Sequence, residues 1–443
     1  MTQSRFAFGL VDNAPAGTRD VALREVSLGL LESTFVGARD ATVHRWYKLR
    51  PSFSPWLVRF LNERLSPTTD RRPLFDPYSG AGTTVIEGKK LGLDSYGIEI
   101  NPFLAVYSKL ALDWTAAPTS LQEARTVLRG LLEDELTRYR DLSIDQIVAR
   151  TGVDIPKIHS PFRWWREDVL RDLLIVKSAL KRCDKEGLAL CRRLLWLTLG
   201  TECIEVANIK RLHPTLTFHD RSSDLINVHD QILRKLDVIV RDLCHVHELD
   251  RGTANLVNEG DTGSASAHIN FTRPVNLITS PPYANRYSYV WETRPHLYMM
   301  ELIDDRKSAA DLDLAAPGGT WGTATSSLAK GIIEPKDALV GGLVNEVTMN
   351  LRRIDNLMAN YVVKYFNTMQ AHLAQIRVAV PGGSRFAIVV GNSRIKGVEV
   401  ATESILAGML QALPGTDVEE LITFRRRIGR ARLYETAIIG TFR

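Results

Sequence analysis

Cysteine is scarce: Cys183, Cys191, Cys203 and Cys244 are the only four in 443 residues, and no two form a CxxC pair. That excludes a disulfide-stapled scaffold and a cysteine-rich zinc ribbon, and leaves buried free thiols as the reading. The run Cys244-His245-Val246-His247 has no second ligand pair at finger-like spacing, so no metal site is expected. Long apolar runs are absent as well. No stretch reaches transmembrane length, and the opening MTQSRFAFGLVDNAPAG lacks the charged-then-apolar layout of a signal peptide. A cytoplasmic protein with no membrane contact is expected. Internal repeats and low-complexity tracts are missing, which excludes solenoids and fibrous arrays. Excess charge of one sign is slight: 56 Lys and Arg against 51 Asp and Glu give a net +5. Such a balance is compatible with a nucleic-acid partner without demanding one. With 44% hydrophobic and 24% charged residues, what is present is an ordinary globular composition with ample chain for a large core.

The stretch DPYSGAGTT, residues 76–84, is the most informative. It follows the apolar pair Leu74-Phe75 and leads into VIEGKKLGL, whose spacing is helical, so it reads as a strand end, a glycine turn and a helix start. Gly80 and Gly82 allow an unusual turn and a close approach by a ligand. Asp76, Thr83 and Thr84 add polar groups at the rim. A second apolar strand, Ser95 to Ile98, ends in Glu99-Ile100. Glu99 lies at the distance from the turn at which βαβ folds set an acid against a ribose, whose two hydroxyls a carboxylate can accept. A nucleoside ligand is expected. A dinucleotide site would want GxGxxG facing a pyrophosphate, whereas here an acid, Asp76, stands at the strand end and would repel phosphate. It suits a cationic ligand such as S-adenosylmethionine.

DPYSGAGTT resembles the cofactor motif of amino-methylating DNA methyltransferases, DPFxGSGTT, with Tyr78 in place of Phe and Ala81 in place of Ser. A second motif supports the resemblance. In VNLITSPPYANRYSY an apolar strand, Val275 to Ile278, leads into Ser280-Pro281-Pro282-Tyr283. The two prolines fix the backbone and remove its N–H donors, so the loop presents carbonyls, one hydroxyl and one ring. TSPPY resembles the catalytic motif of the cytosine-N4 enzymes, whereas adenine-N6 enzymes more often carry Asp or Asn at its first position. The resemblance implies S-adenosylmethionine as cofactor, held by Asp76, Tyr78, Gly80, Gly82, Thr83, Thr84, Glu99 and Ile100. It also implies Asp261, at the end of NLVNEGD, against the cofactor adenine, and Phe53 and Ser54 of FSPWLV at its methionine end. Duplex DNA is the implied substrate, with the target base flipped out among Ser280, Pro281, Pro282 and Tyr283, and a cognate restriction enzyme is a partner to consider. Adenine-N6 methylation, guanine-N2 methylation of RNA, and a non-catalytic DNA-binding or specificity partner on the same fold stay open as alternatives.

The rest of the chain is read around these motifs. Residues 1–43 form an N-terminal arm with one amphipathic run, VALREVSLGLLESTF, taken as a helix. Residues 44–118 carry the first part of the methyltransferase core, 119–251 a helical insertion, and 252–443 the second part of the core. Basic residues among aromatics in HRWYKLRPSF and in HSPFRWWRED, Arg163 included, fit either a nucleic-acid contact or core packing. Residues 303–340 show no periodicity and read as a long loop around Trp321, a candidate recognition element. At the C-terminus two antiparallel strands are expected, with Arg425, Arg426 and Arg427 near their turn as candidate phosphate contacts. The fold class expected is α/β: a Rossmann-like class I methyltransferase with a twisted, mixed, seven-stranded sheet and an inserted helical region.

Overall fold

A computed structural model describes residues 22–25, 41–49, 52, 54–66, 70–212, 215–319, 323–426 and 433–443. Its strands, in chain order, are β1 (Ala22–Glu25), β2 (Leu74–Asp76), β3 (Ser95–Glu99), β4 (Ile209–Leu212), β5 (Thr215–Phe218), β6 (Asn255–Glu259), β7 (Asn276–Thr279), β8 (Arg385–Gly391), β9 (Ser393–Ile395), β10 (Val398–Val400), β11 (Thr416–Arg426) and β12 (Tyr434–Phe442). The main sheet runs β1-β11-β12-β8-β7-β2-β3-β6. From β8 to β6 every pairing is parallel, and β12 is antiparallel to both β8 and β11. This is the expected Rossmann-like methyltransferase arrangement, a mixed sheet of seven strands, with the short β1 added parallel to its β11 edge.

Alternation along the strands explains the layers. On β8, Phe386, Ile388 and Val390 join the core under the helix Asn356–Ala379, while Ala387 and Val389 face the helix Pro55–Leu65 on the other side. A strand buried on both faces reads as a continuous apolar run, as RFAIVVG does. From β2 the chain proceeds to β3 and β6 on one side, then returns to β7 on the other side of β2. The strand order therefore reverses between β2 and β7, and open α/β sheets bind ligands beyond the carboxyl ends of strands at such a point. Both sequence motifs leave the sheet there.

The insertion is helical as expected, with helices Pro118–Tyr139, Ile144–Thr151, Glu167–Lys185, Ala189–Glu202 and Val228–His247, plus the β4–β5 hairpin. Its apolar core is continuous with that of residues 43–49 and of the helix Pro102–Ala111. Buried polar groups fasten the seam. The Asp242 carboxylate accepts from the Val43 amide at 3.0 Å, the Arg45 guanidinium and the Trp46 indole N–H at 2.8 Å. His296 contacts the Gly200 carbonyl and the Tyr47 hydroxyl. Trp46, Trp164 and Trp165 are all buried, and Arg166 is taken up by Asp168 and the carbonyls of Arg221 and Asp224, so in both basic-aromatic stretches packing holds the tryptophans. All four cysteines are free thiols, three of them buried.

Two expectations are corrected. Residues 22–25, read as part of a helix, are an extended strand on β11; the partner that decides this lies almost 400 residues downstream and is invisible to local periodicity. Residues 303–340 are not one loop. They contain the helices Arg306–Ala315 and Thr323–Leu328, and a third, Ala338–Arg352, starts within them. The first and third are opened by Asp305 and Asp337, whose carboxylates accept the N–H groups of Ser308 and Val340 at 2.8 and 2.9 Å. Trp321 lies outside the described residues.

Candidate active site

The turn after β2 is built from its own backbone. Ser79 N–H donates to the Ile98 carbonyl and Gly82 N–H to the Ser79 carbonyl. Gly80 and Gly82 take φ of 54° and 81°, the left-handed region that glycine enters without strain. On β3, Gly97 is required for a different reason: a Cβ there would stand 2.6 Å from Ser79 Oγ. The result is a tight cradle whose wall carries Glu99. That carboxylate is fixed by two backbone donors, Gly80 N–H to Oε2 at 2.6 Å and Asn101 N–H to Oε1 at 2.8 Å. Burial raises its pKa to about 7.

A cavity of about 470 Å³ opens over this cradle. From the cofactor-type motif and its surroundings Tyr78, Gly80, Thr83, Glu99, Ile100 and Asp261 line it; from the proline loop Ser280, Pro282 and Tyr283 do. Ile100 and Ser280, 180 residues apart in sequence, thus share one chamber, of a size ordinary for a small-molecule site. Asp261 caps the turn that follows β6, accepting from Gly263 N–H at 2.9 Å, and its Oδ1 lies 3.5 Å from His372 Nε2. The other ring nitrogen of His372 is 2.9 Å from the Tyr78 hydroxyl, with the two rings stacked at 5.9 Å. Burial lowers the His372 pKa, against the pull of the Asp261 carboxylate.

Several expected residues sit elsewhere. Asp76 is not at the rim: it is wholly buried beneath the cavity floor, where Oδ1 accepts from Tyr78 N–H at 3.0 Å and Thr279 Oγ at 2.5 Å. It thereby ties the β2 turn to the end of β7, and burial raises its pKa to about 6. Thr84 is also buried and donates to the Ile278 carbonyl, a second tie between the same elements. Gly82 opens the helix Thr83–Lys90 and, like Asp76, Thr84 and Pro281, is absent from the cavity wall. Ser54 caps the helix Pro55–Leu65 by accepting from Trp56 N–H, while Leu49 and Ser52 of the same segment do reach the cavity. Phe53 and Arg427 lie outside the described residues. Arg425 and Arg426 end β11, and Leu433 and Glu435, at the start of the paired strand β12, line the cavity. Arg163 lies in the insertion with its guanidinium 4.0 Å from the Phe218 ring centre, and no described residue of 119–251 lines the cavity.

Sequence reasoning missed Asn101, Tyr289, Asn285 and His372 in the wall. Asn101 had a usable signal, since Asn before Pro marks a helix start, and its side chain accepts from Phe103 N–H. His372 is in mid-helix with nothing local to mark it. Among the described residues no group of three or more His, Cys, Asp or Glu is placed to hold a metal ion, and no helix is long and apolar enough to cross a membrane.

No family model matches the chain. Among characterised proteins it is similar to the Type II methyltransferase M.BsoBI of Geobacillus stearothermophilus, at 24% identity over 61% of this chain and 54% of that protein. It is 21% identical to the Type II methyltransferase M.MvaI of Kocuria varians over 88% of this chain and 85% of that one. A third match, the Type II methyltransferase M.MjaII of Methanocaldococcus jannaschii, is 25% identical over 28% of this chain and 22% of that one. The chain therefore spans only about half the length of the first of these relatives. Among solved structures, the rRNA methyltransferase aviRa from Streptomyces viridochromogenes aligns over 91% of this chain and 92% of that one at 10% identity. Its TM-score of 0.30 is too low to support any argument.

Proposed function

We propose that this protein is an S-adenosylmethionine-dependent DNA methyltransferase acting on the N4 amine of cytosine, with the target base flipped out of the duplex. One observation carries the reading: the glycine cradle with Glu99 and the Ser280–Tyr283 loop, separate in sequence, line a single cavity at the strand-order reversal. The similarity to three Type II methyltransferases supports it, and supports placing the protein beside a cognate restriction endonuclease.

The residues present fit the cofactor. Glu99 is held by backbone donors at the cavity wall, as recognition of two neighbouring ribose hydroxyls requires, and Gly80 lines the same wall with bare backbone. Tyr78 and Ile100 offer apolar surface, and Asp261 an acceptor for an adenine amino group. S-adenosylmethionine supplies an electrophilic methyl group on a sulfonium.

The protein must then make a poor nucleophile competent. The lone pair of a cytosine amine is delocalised into the ring, so acceptors are needed around its two protons to favour a pyramidal nitrogen. The Ser280 hydroxyl, at the wall and without a hydrogen bond to any described residue, serves as one, and a carbonyl of the proline pair as the other. Tyr283, partly exposed in the wall, supplies a flat face on which an extruded base stacks. Rate then comes from orientation and from dipoles already in place.

The test is mass spectrometry of nucleosides from plasmid DNA co-expressed with the protein or with Ser280→Ala. N4-methylcytosine that disappears in the variant is the expected result. N6-methyladenine would correct the base, and an absence of any modified base would overturn the reading.

A further inference from the structure

The two prolines of the target-base loop create a problem that the structure solves from a distance. At Pro281 and Pro282 the backbone has no N–H to donate to the scaffold, so this part of the loop can be held only through its carbonyls, by donors brought from elsewhere. The helix Asn356–Ala379 brings one. Tyr365, fully buried, donates its hydroxyl to the Pro282 carbonyl at 2.7 Å. One helical turn earlier Tyr361, equally buried, accepts from the Arg286 N–H at 2.9 Å, where the loop ends. Arg286 has φ of 60°, a left-handed conformation that a side-chain-bearing residue keeps only when its surroundings impose it. Burial keeps both phenols protonated, so Tyr365 remains a donor at any working pH.

The same helix face holds the segment lying over the loop. Lys364 donates to the Leu314 and Gly319 carbonyls at 3.3 and 3.2 Å, and a Cβ on Gly318 would come within 3.5 Å of Pro282 Cβ. The proline loop is thus gripped from both ends by residues four apart on one helix.

We propose that Tyr365 and Tyr361 are positioning residues for methyl transfer: they clamp the Ser280–Arg286 loop, and Tyr365, by occupying one lone pair of the Pro282 carbonyl, fixes the direction in which the other is offered to the substrate amine. This rests on the proposed methyltransferase reading.

The test is single-turnover methylation by Tyr365→Phe and Tyr361→Phe, each keeping its ring and hence its packing, with cofactor and DNA saturating. A fall in rate of about 10- to 100-fold for Tyr365→Phe is expected, with cofactor affinity and thermal midpoint close to wild type. An unchanged rate would overturn the proposal, as would a parallel loss of cofactor affinity and stability, which would mark a merely structural role. A second arm needs no substrate. In amide hydrogen exchange, Tyr361→Phe should speed exchange at Arg286 at least tenfold while the sheet stays protected, and unaltered exchange would overturn the clamp. If wild-type protein modifies no DNA, the methyltransferase reading falls, and this second arm still decides whether the loop is clamped.

Discussion

Lowering the pH from 8 to 6 should weaken cofactor binding about tenfold, and Glu99 should be the cause. Its carboxyl is buried, with a pKa raised to about 7, and its oxygens are held by the Gly80 and Asn101 amides. In the proposed site the ribose hydroxyls would donate to the ionised form, so binding should select it. With a pKa near 7 the ionised fraction is about nine-tenths at pH 8 and about one-eleventh at pH 6, and apparent affinity scales with that fraction. The folding balance has the opposite sign. Because the folded pKa lies above the unfolded one, the stability contributed by protonated Glu99 is fully present below the usual glutamate value and is lost as pH rises through 7. The ionised carboxyl costs the cofactor-free protein on the order of 3 kcal/mol. A cofactor that satisfies it should therefore raise the thermal midpoint more at pH 8 than at pH 6. Calorimetric titration with S-adenosylmethionine across that range, on wild type and Glu99→Gln, gives the answer. Glu99→Gln should bind more weakly at pH 8, by about 1.5–3 kcal/mol for a lost charged acceptor, and show no slope. A flat wild-type profile, or a slope that survives in the variant, would refute the assignment. Asp76 titrates near 6 but lies outside the cavity wall, so the variant separates the two acids.

Two further outcomes concern the scaffold. Asp242→Ala should strip the partner from three donors at the seam between the insertion and residues 43–46, and lower stability by about 3–5 kcal/mol in urea unfolding; a loss below about 1 kcal/mol would show that the seam relaxes. Gly97→Ala should push its Cβ into Ser79, with a cost of about 1–3 kcal/mol and a matching loss of cofactor affinity, because Ser79 and Gly80 belong to one turn. Retained affinity in that variant would mean that the cradle tolerates displacement.

What could be read from the sequence follows the range of the interactions involved. DPYSGAGTT and TSPPY declare themselves because a glycine turn and a proline loop are local constraints, and the structure brings both to one chamber. Asp76 shows the limit of that reading. Its identity was legible, but whether its side chain turns outward or downward depends on Thr279, which is 203 residues away. The N-terminal strand and the Asp-capped helices after residue 303 were misread for the same kind of reason, β1 through a distant partner strand and the helices through capping acids overlooked in a polar stretch. His372 offered no local signal at all. Its place between Tyr78 and Asp261 exists only once the helix Asn356–Ala379 is laid across the sheet.

That helix changes how the long loops should be understood. Irregular segments over an active site lose conformational entropy when ordered, and something must offset it. Here the offset comes from polar side chains on one buried helix. Asn360 donates to the Leu328 and Gly331 carbonyls and accepts from Ile333 N–H; Asn367 accepts from Lys336 N–H and donates to the Glu334 carbonyl. Lys364 and the two tyrosines hold the segments nearer the cavity. Polar groups so placed look costly in a core helix, and each is matched by backbone that has no ladder of its own to satisfy it. The polar positions that interrupt NYVVKYFNTMQAH are therefore the fastenings of these segments, and the apolar ones between them are buried in the core against the sheet.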